Sequence, residues 1–190
     1  MSAALPATAC EDGFRARRLE QLFRDCFAAR WRTLLVGGAQ EPFYQPAPHD
    51  DGFHLLHYRL DYFASALHEV AHWCIAGAER RQLPDFGYWY EPDGRNVAQQ
   101  RAFEAVEYKP QALEWFFSRA CGYRFRLSSD NLAAPADENT AFALRVLEQA
   151  RHWRDAGLPT RAGLFFTALS EAFGTGLQAA ALVFELEELR

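Results

Sequence analysis

Asp61-Tyr62-Phe63-Ala64-Ser65-Ala66-Leu67-His68-Glu69-Val70-Ala71-His72-Trp73-Cys74-Ile75-Ala76-Gly77 is the stretch on which the reading of this chain turns. Ala64, Leu67, Ala71 and Ile75 recur three or four residues apart, which places them on one face of a helix. Asp61 is a residue type whose side-chain oxygen caps helix N-termini, and Gly77 suits the left-handed position that closes a last turn. The spacing therefore predicts a helix that starts after Asp61 and stops at Gly77, with Pro84 enforcing the break. On that helix His68 and His72, four residues apart, point the same way and can offer two imidazole nitrogens to one metal ion, with Glu69 beside them.

On the N-terminal side, Leu19, Leu22, Phe23 and Phe27 mark a helix over residues 14–29, and residues 33–36 form a short strand stopped by Gly37-Gly38. Pro42, Pro46 and Pro48 predict a loop as far as Asp51, and residues 53–58 form a second strand. On the C-terminal side, residues 86–90 have strand composition and end in the turn Glu91-Pro92-Asp93-Gly94. Residues 97–120 are helical, with Pro110 expected to kink the helix or begin another one. The alternation in residues 123–127 predicts a half-buried strand, and helices follow over 138–155, 161–173 and 177–189.

The chain has 190 residues, enough for one domain spanning 1–190 with its own core, and 49% of them are hydrophobic, a globular composition. A net charge of −5 argues against a grip on nucleic acid phosphates. No stretch is apolar for long enough to cross a membrane, and residues 1–10 lack the pattern of an export signal, so a cytoplasmic protein is expected. Cys10, Cys26, Cys74 and Cys121 form no CxxC pair, which fits reduced thiols.

A metal held by His68 and His72 needs a third ligand, and no His lies six residues beyond His72. The later helix offers Glu104, Glu107 and Glu114. Glu107 is the first choice and Glu104 the second, while Glu114 is assigned to the surface. His54 and His57 are candidates for orienting ligands, although each is read first as a structural residue. Tyr88, Asp93, Arg95 and Lys109 are the candidate substrate contacts, and Tyr62, Trp73, Trp89 and Tyr90 are candidates for a groove or for ordinary core. Two chemistries suit this donor set. In a zinc hydrolase of the metallopeptidase kind, Glu69 is the general base for a metal-bound water; in an oxygenase, two His and a carboxylate leave positions open for oxygen and substrate. The spacing does not choose between them. A purely structural metal would need a fourth protein ligand, and none stands out.

Three segments, Ala64 through Gly77, Asp85-Phe86-Gly87-Tyr88-Trp89-Tyr90-Glu91-Pro92-Asp93-Gly94-Arg95, and Val106-Glu107-Tyr108-Lys109-Pro110-Gln111-Ala112-Leu113-Glu114-Trp115, resemble the bacterial elongation factor P hydroxylases over roughly residues 30–170. The resemblance implies that His68, His72 and a glutamate of the Val106-Glu107 segment hold the metal. It also implies an oxygen-dependent hydroxylation of a lysine of elongation factor P that carries a β-lysyl group, with Fe(II) as the metal and molecular oxygen as co-substrate. The many short strands of a 2-oxoglutarate jelly roll are missing from the pattern, so such an oxygenase has another architecture. The fold class expected is α+β, a small β-sheet with surrounding helices and a zincin-like core that carries the HExxH helix.

Overall fold

Helix α1 (Ala16–Trp31) buries Leu19, Phe23 and Phe27 completely, the face its apolar spacing predicts. It leads into β1 (Thr33–Ala39), which pairs in parallel with β3 (His54–Arg59) in a register that sets Thr33 opposite His54 and Val36 opposite His57. The computed structural model describes residues 13–87, 97–128 and 136–189. Between the two parallel strands, the segment expected to be a loop contains a third, β2 (Phe43–Gln45), antiparallel to β3, so the sheet order is β1-β3-β2. Pro42 and Pro46 bracket it and limit it to three residues.

Side-chain carboxylates close both outer strands. Asp85 Oδ1 accepts the Tyr44 N–H at 2.7 Å on the β2 side, and Glu20 Oε1 accepts the Gly37 N–H at 3.0 Å on the β1 side. These bonds satisfy amides that would otherwise be open to a further strand. Glu20 also takes the Tyr58 hydroxyl at 2.8 Å, and a Cβ on Gly37 would sit 2.5 Å from that hydroxyl, which explains why glycine is needed there.

The metal-motif helix α2 (Phe63–Ile75) lies against β3. Its ends differ from the expectation. Asp61 makes no cap; the N-cap is Tyr62, with no side-chain bond, and the entry is instead fixed by Phe63, which is buried. Gly77 is not left-handed. Ala76 leaves the helix extended, because arginines from outside α2 take its last carbonyls.

Phe86 and Gly87, expected to begin a strand, lie in a 3-10 turn (Pro84–Gly87) where Asp85, Phe86 and Gly87 all have positive φ. Stacking of Phe86 on Tyr44, at 4.4 Å, holds this otherwise unfavourable backbone. The rest of that expected strand and its turn lie outside the described residues. Helix α3 (Val97–Cys121) runs through Pro110 as one element of 25 residues, so no second helix begins there. Burial of Ala112, Leu113, Phe116, Phe117 and Ala120 on the far side of the proline outweighs the lost backbone bond. It packs on α2, on α4 (Ala136–Ala156) and on α5 (Thr160–Ala172).

Residues 123–127 alternate in burial but pair with no strand among the described residues. Phe125 stacks on Trp115, and the Gln111 side chain bonds both the N–H and the C=O of Ser128, so the backbone turns to a side chain where a ladder was expected. The expected C-terminal helix is replaced by two 3-10 turns, Ala179–Ala181 and Leu186–Leu189, on either side of an extended stretch. That stretch buries Leu182 and Phe184 and exposes Val183, a strand-like period of two. The fold is thus α+β, with five helices around a three-stranded sheet among the described residues.

Candidate metal centre

Because α2 turns once every 3.6 residues, His68 and His72 stand one above the other on the face turned to α3, and their Nε2 atoms are 3.0 Å apart. From α3, Glu107 reaches both. Its Oε2 lies 3.4 Å from His68 Nε2 and its Oε1 lies 3.2 Å from His72 Nε2. The residue is only 2% exposed, so its charge needs partners. Two Nε2 atoms this close share either one hydrogen or one cation, since two protons or two bare lone pairs facing each other would repel. Ligand separations of 3.0–3.4 Å also suit a first-row ion with bonds of about 2.0–2.2 Å. The donor set therefore fits a divalent metal.

Glu114, assigned to the surface from the sequence, is buried, and its Oε2 lies 2.9 Å from His68 Nδ1. Seven residues after Glu107, it falls two turns along the same face of α3. That spacing was the available signal. A carboxylate there takes the Nδ1 hydrogen and leaves the Nε2 lone pair facing the cluster. Glu104 is elsewhere: its Oε1 accepts from Gln100 Nε2 at 3.1 Å, and among the described residues the group able to hold an ion is His68, His72 and Glu107.

The electrostatics follow from crowding. Burial works against charge on His68, but hydrogen bonds to Glu107 and Glu114 outweigh it and hold the imidazole pKa well above its ordinary value. Burial also works against the Glu107 carboxylate, and the two imidazoles outweigh it and hold its pKa far below the usual range. Glu69 goes the other way. Burial raises its carboxyl above the ordinary range, although the neighbouring imidazoles pull it down.

A cleft of about 760 Å³ opens beside His72, with Ile75, Phe86, Val106, Lys109 and Trp153 in its lining. Lys109 lines this cleft, whereas Tyr88, Asp93 and Arg95 lie outside the described residues, as do Trp89 and Tyr90. Trp73 is core and Tyr62 is half exposed. His54 accepts the Ala47 N–H at 3.1 Å and stacks on Tyr44, while His57 stacks on Phe43 at 4.0 Å; neither belongs to the ligand cluster. Phe86 and Trp153 were missed as cleft residues because they come from segments far from the motif in sequence.

A family model described as elongation factor P hydroxylase (EpmC) matches residues 22–183, which span α2, α3 and all of the residues just described. The chain belongs to this family. The elongation factor P hydroxylase match begins inside α1 and ends past the first C-terminal 3-10 turn, so it is longer at both ends than the resemblance read from the motifs. The chain is also similar to the elongation factor P lysine hydroxylase of Haemophilus influenzae, with 45% identity over 154 residues, 81% of this chain and 86% of that protein. Both matches name a hydroxylase and neither names a hydrolase. Among the described residues no helix is long and apolar enough to cross a membrane.

Proposed function

We propose that this chain hydroxylates the β-lysylated lysine of translation elongation factor P, with Fe(II) held by His68, His72 and Glu107 and with molecular oxygen as co-substrate. The observation that carries this reading is the meeting of two imidazole nitrogens with one buried carboxylate, beside an open cleft, in a chain of the hydroxylase family. The arrangement of α2 beside the small sheet is, in this reading, a zincin-like core, and residues 1–190 are one domain. A translation factor as substrate places the enzyme in the cytoplasm.

Bound there, a redox-active divalent ion supplies the oxygen activation that no protein side chain provides. His68 and His72 would each offer an Nε2 lone pair to the ion, and Glu114, by taking the Nδ1 hydrogen of His68, fixes the tautomer that has its lone pair at Nε2. Glu107 brings the negative charge. Three protein donors would leave a bound ion open to exogenous groups. Glu69, next to His68 on α2, is assigned to the catalytic site, and burial raises its carboxyl pKa above the ordinary range. The apolar part of the cleft, Ile75, Phe86 and Val106, excludes water and suits the methylenes of a long side chain, and Lys109 is assigned with Tyr88, Asp93 and Arg95 to the substrate.

Two measurements test this. Purified β-lysylated elongation factor P, incubated with the iron-loaded protein, a reductant and air, is expected to gain about 16 Da in intact mass, one oxygen atom. No gain with an iron-loaded preparation would overturn the assignment. Glu114→Gln is expected to weaken binding of Co(II), titrated against a competing chelator, by about 10–100-fold, because the neutral amide holds the Nδ1–H less firmly. An unchanged affinity would remove Glu114 from the site.

A further inference from the structure

Helix α2 lacks a local closure at its C-terminus. Ile75 is its last residue, Ala76 is already extended, and Gly77 has no left-handed backbone, so the final carbonyls need donors from elsewhere. Arg161, in the first turn of α5, supplies most of them: its Nη2 lies 3.0 Å from Trp73 O, 3.0 Å from Cys74 O and 2.5 Å from Ala76 O. Arg81 Nη1 adds a second bond to Ala76 O at 2.6 Å. The Arg161 guanidinium also lies 4.8 Å from the centroid of the Trp73 ring, and its buried Nε has no hydrogen-bond partner among the described residues.

Two guanidiniums therefore converge on one carbonyl, and among the described residues neither makes an ion pair with a carboxylate. Their counter-charge is the negative end of α2. The same residue connects directly to the metal site, because the Ala76 N–H donates to His72 O at 3.1 Å. The residues so held, from Cys74 to Gly77, also form a wall of the cleft, to which Pro159 at the start of α5 contributes.

We propose that Arg161 is a positioning residue of the metal site, which holds the last turn of α2, and with it His72 and the adjoining cleft wall, in the geometry that binds the ion. The inference rests on the metal-site reading above. Arginine suits the task because its guanidinium brings one nitrogen among these carbonyls while the planar group lies over the indole face, which a lysine ammonium does not reproduce.

Arg161→Lys keeps the charge but loses this shape. Co(II) is the probe, added to the full-length protein. The variant is expected to bind Co(II) about tenfold or more weakly, with an altered visible absorption spectrum of the Co(II) form, while far-UV circular dichroism stays that of the wild type. A merely structural role would lower the melting temperature and leave both Co(II) readouts unchanged, and that result would overturn the proposal. Should Arg161→Lys fail to fold, Arg161→Gln, whose shorter neutral amide loses the charge and the reach, carries the same test: weaker Co(II) binding supports the clamp, and unchanged binding overturns it. If the wild-type protein itself takes no Co(II), the metal-site reading falls and this inference with it, whereas normal wild-type binding with an unaffected variant overturns the inference alone.

Discussion

His68→Ala is expected to abolish hydroxylation, leaving β-lysylated elongation factor P at its starting mass under conditions in which the wild-type protein adds about 16 Da. Truncation removes one of two nitrogen donors and leaves Glu107 paired with His72 alone, at 3.2 Å. It also strands the buried Glu114 carboxylate, whose bond at 2.9 Å goes to the same imidazole. The fold is expected to survive, since the His68 side chain is 26% exposed and α2 is anchored by its opposite face. His72→Ala should give the same result. The effects of the two should not add, because ligands that hold one ion act as a unit and either loss alone reaches background. Activity of His68→Ala within about tenfold of wild type, with the metal bound, would remove His68 from the ligand set.

Trp73→Ala should have the largest effect on stability, about 3–5 kcal/mol. The indole is fully buried between α1, α2 and α5, with ring centroids 5.0 Å from Phe23, 4.7 Å from Phe27 and 6.3 Å from Trp31. Truncation would leave a cavity that these rings, fixed by their own neighbours, close only in part. It would also remove the surface on which the Arg161 guanidinium rests. For a chain of this length the loss corresponds to a fall in melting temperature on the order of 10 °C. Trp73→Phe, which keeps most of the contact, should cost clearly less. A melting temperature within about 2 °C of wild type for Trp73→Ala would contradict the packing described.

Local patterns were legible where a local rule suffices. The apolar spacing of α1 and of α2, the two parallel strands and the helices α4 and α5 all appear close to where periodicity places them, because burial on one face imposes the period of the element. The failures share a cause. Residues 123–127 and the segment around Leu182 and Phe184 alternate in burial as strands do, yet alternation reports which side chains face the core and says nothing about whether another backbone is alongside to bond. Asp61 and Gly77 have the composition of caps, but Phe63 packing and arginines from elsewhere fix those ends of α2. Pro110 is a breaker by local chemistry and is overridden by the buried face of α3 that follows it.

The site divides along the same line. The sequence by itself determined that His68 and His72 share a helix face, since four residues on a helix bring two side chains together whatever surrounds them. Its motifs also carried the family. The sequence ranked Glu107 ahead of Glu104 and set Glu114 on the surface, but where each glutamate stands relative to the imidazoles depends on how α3 crosses α2, which only the tertiary structure shows. That crossing sets Glu107 against both imidazoles and Glu114 against His68 Nδ1, and it leaves Glu104 with Gln100. It also decided that α2 is closed by Arg161, which lies 85 residues beyond Ala76 in the chain. A helix dictates its own neighbours at short range, whereas contacts between helices depend on how the whole core packs.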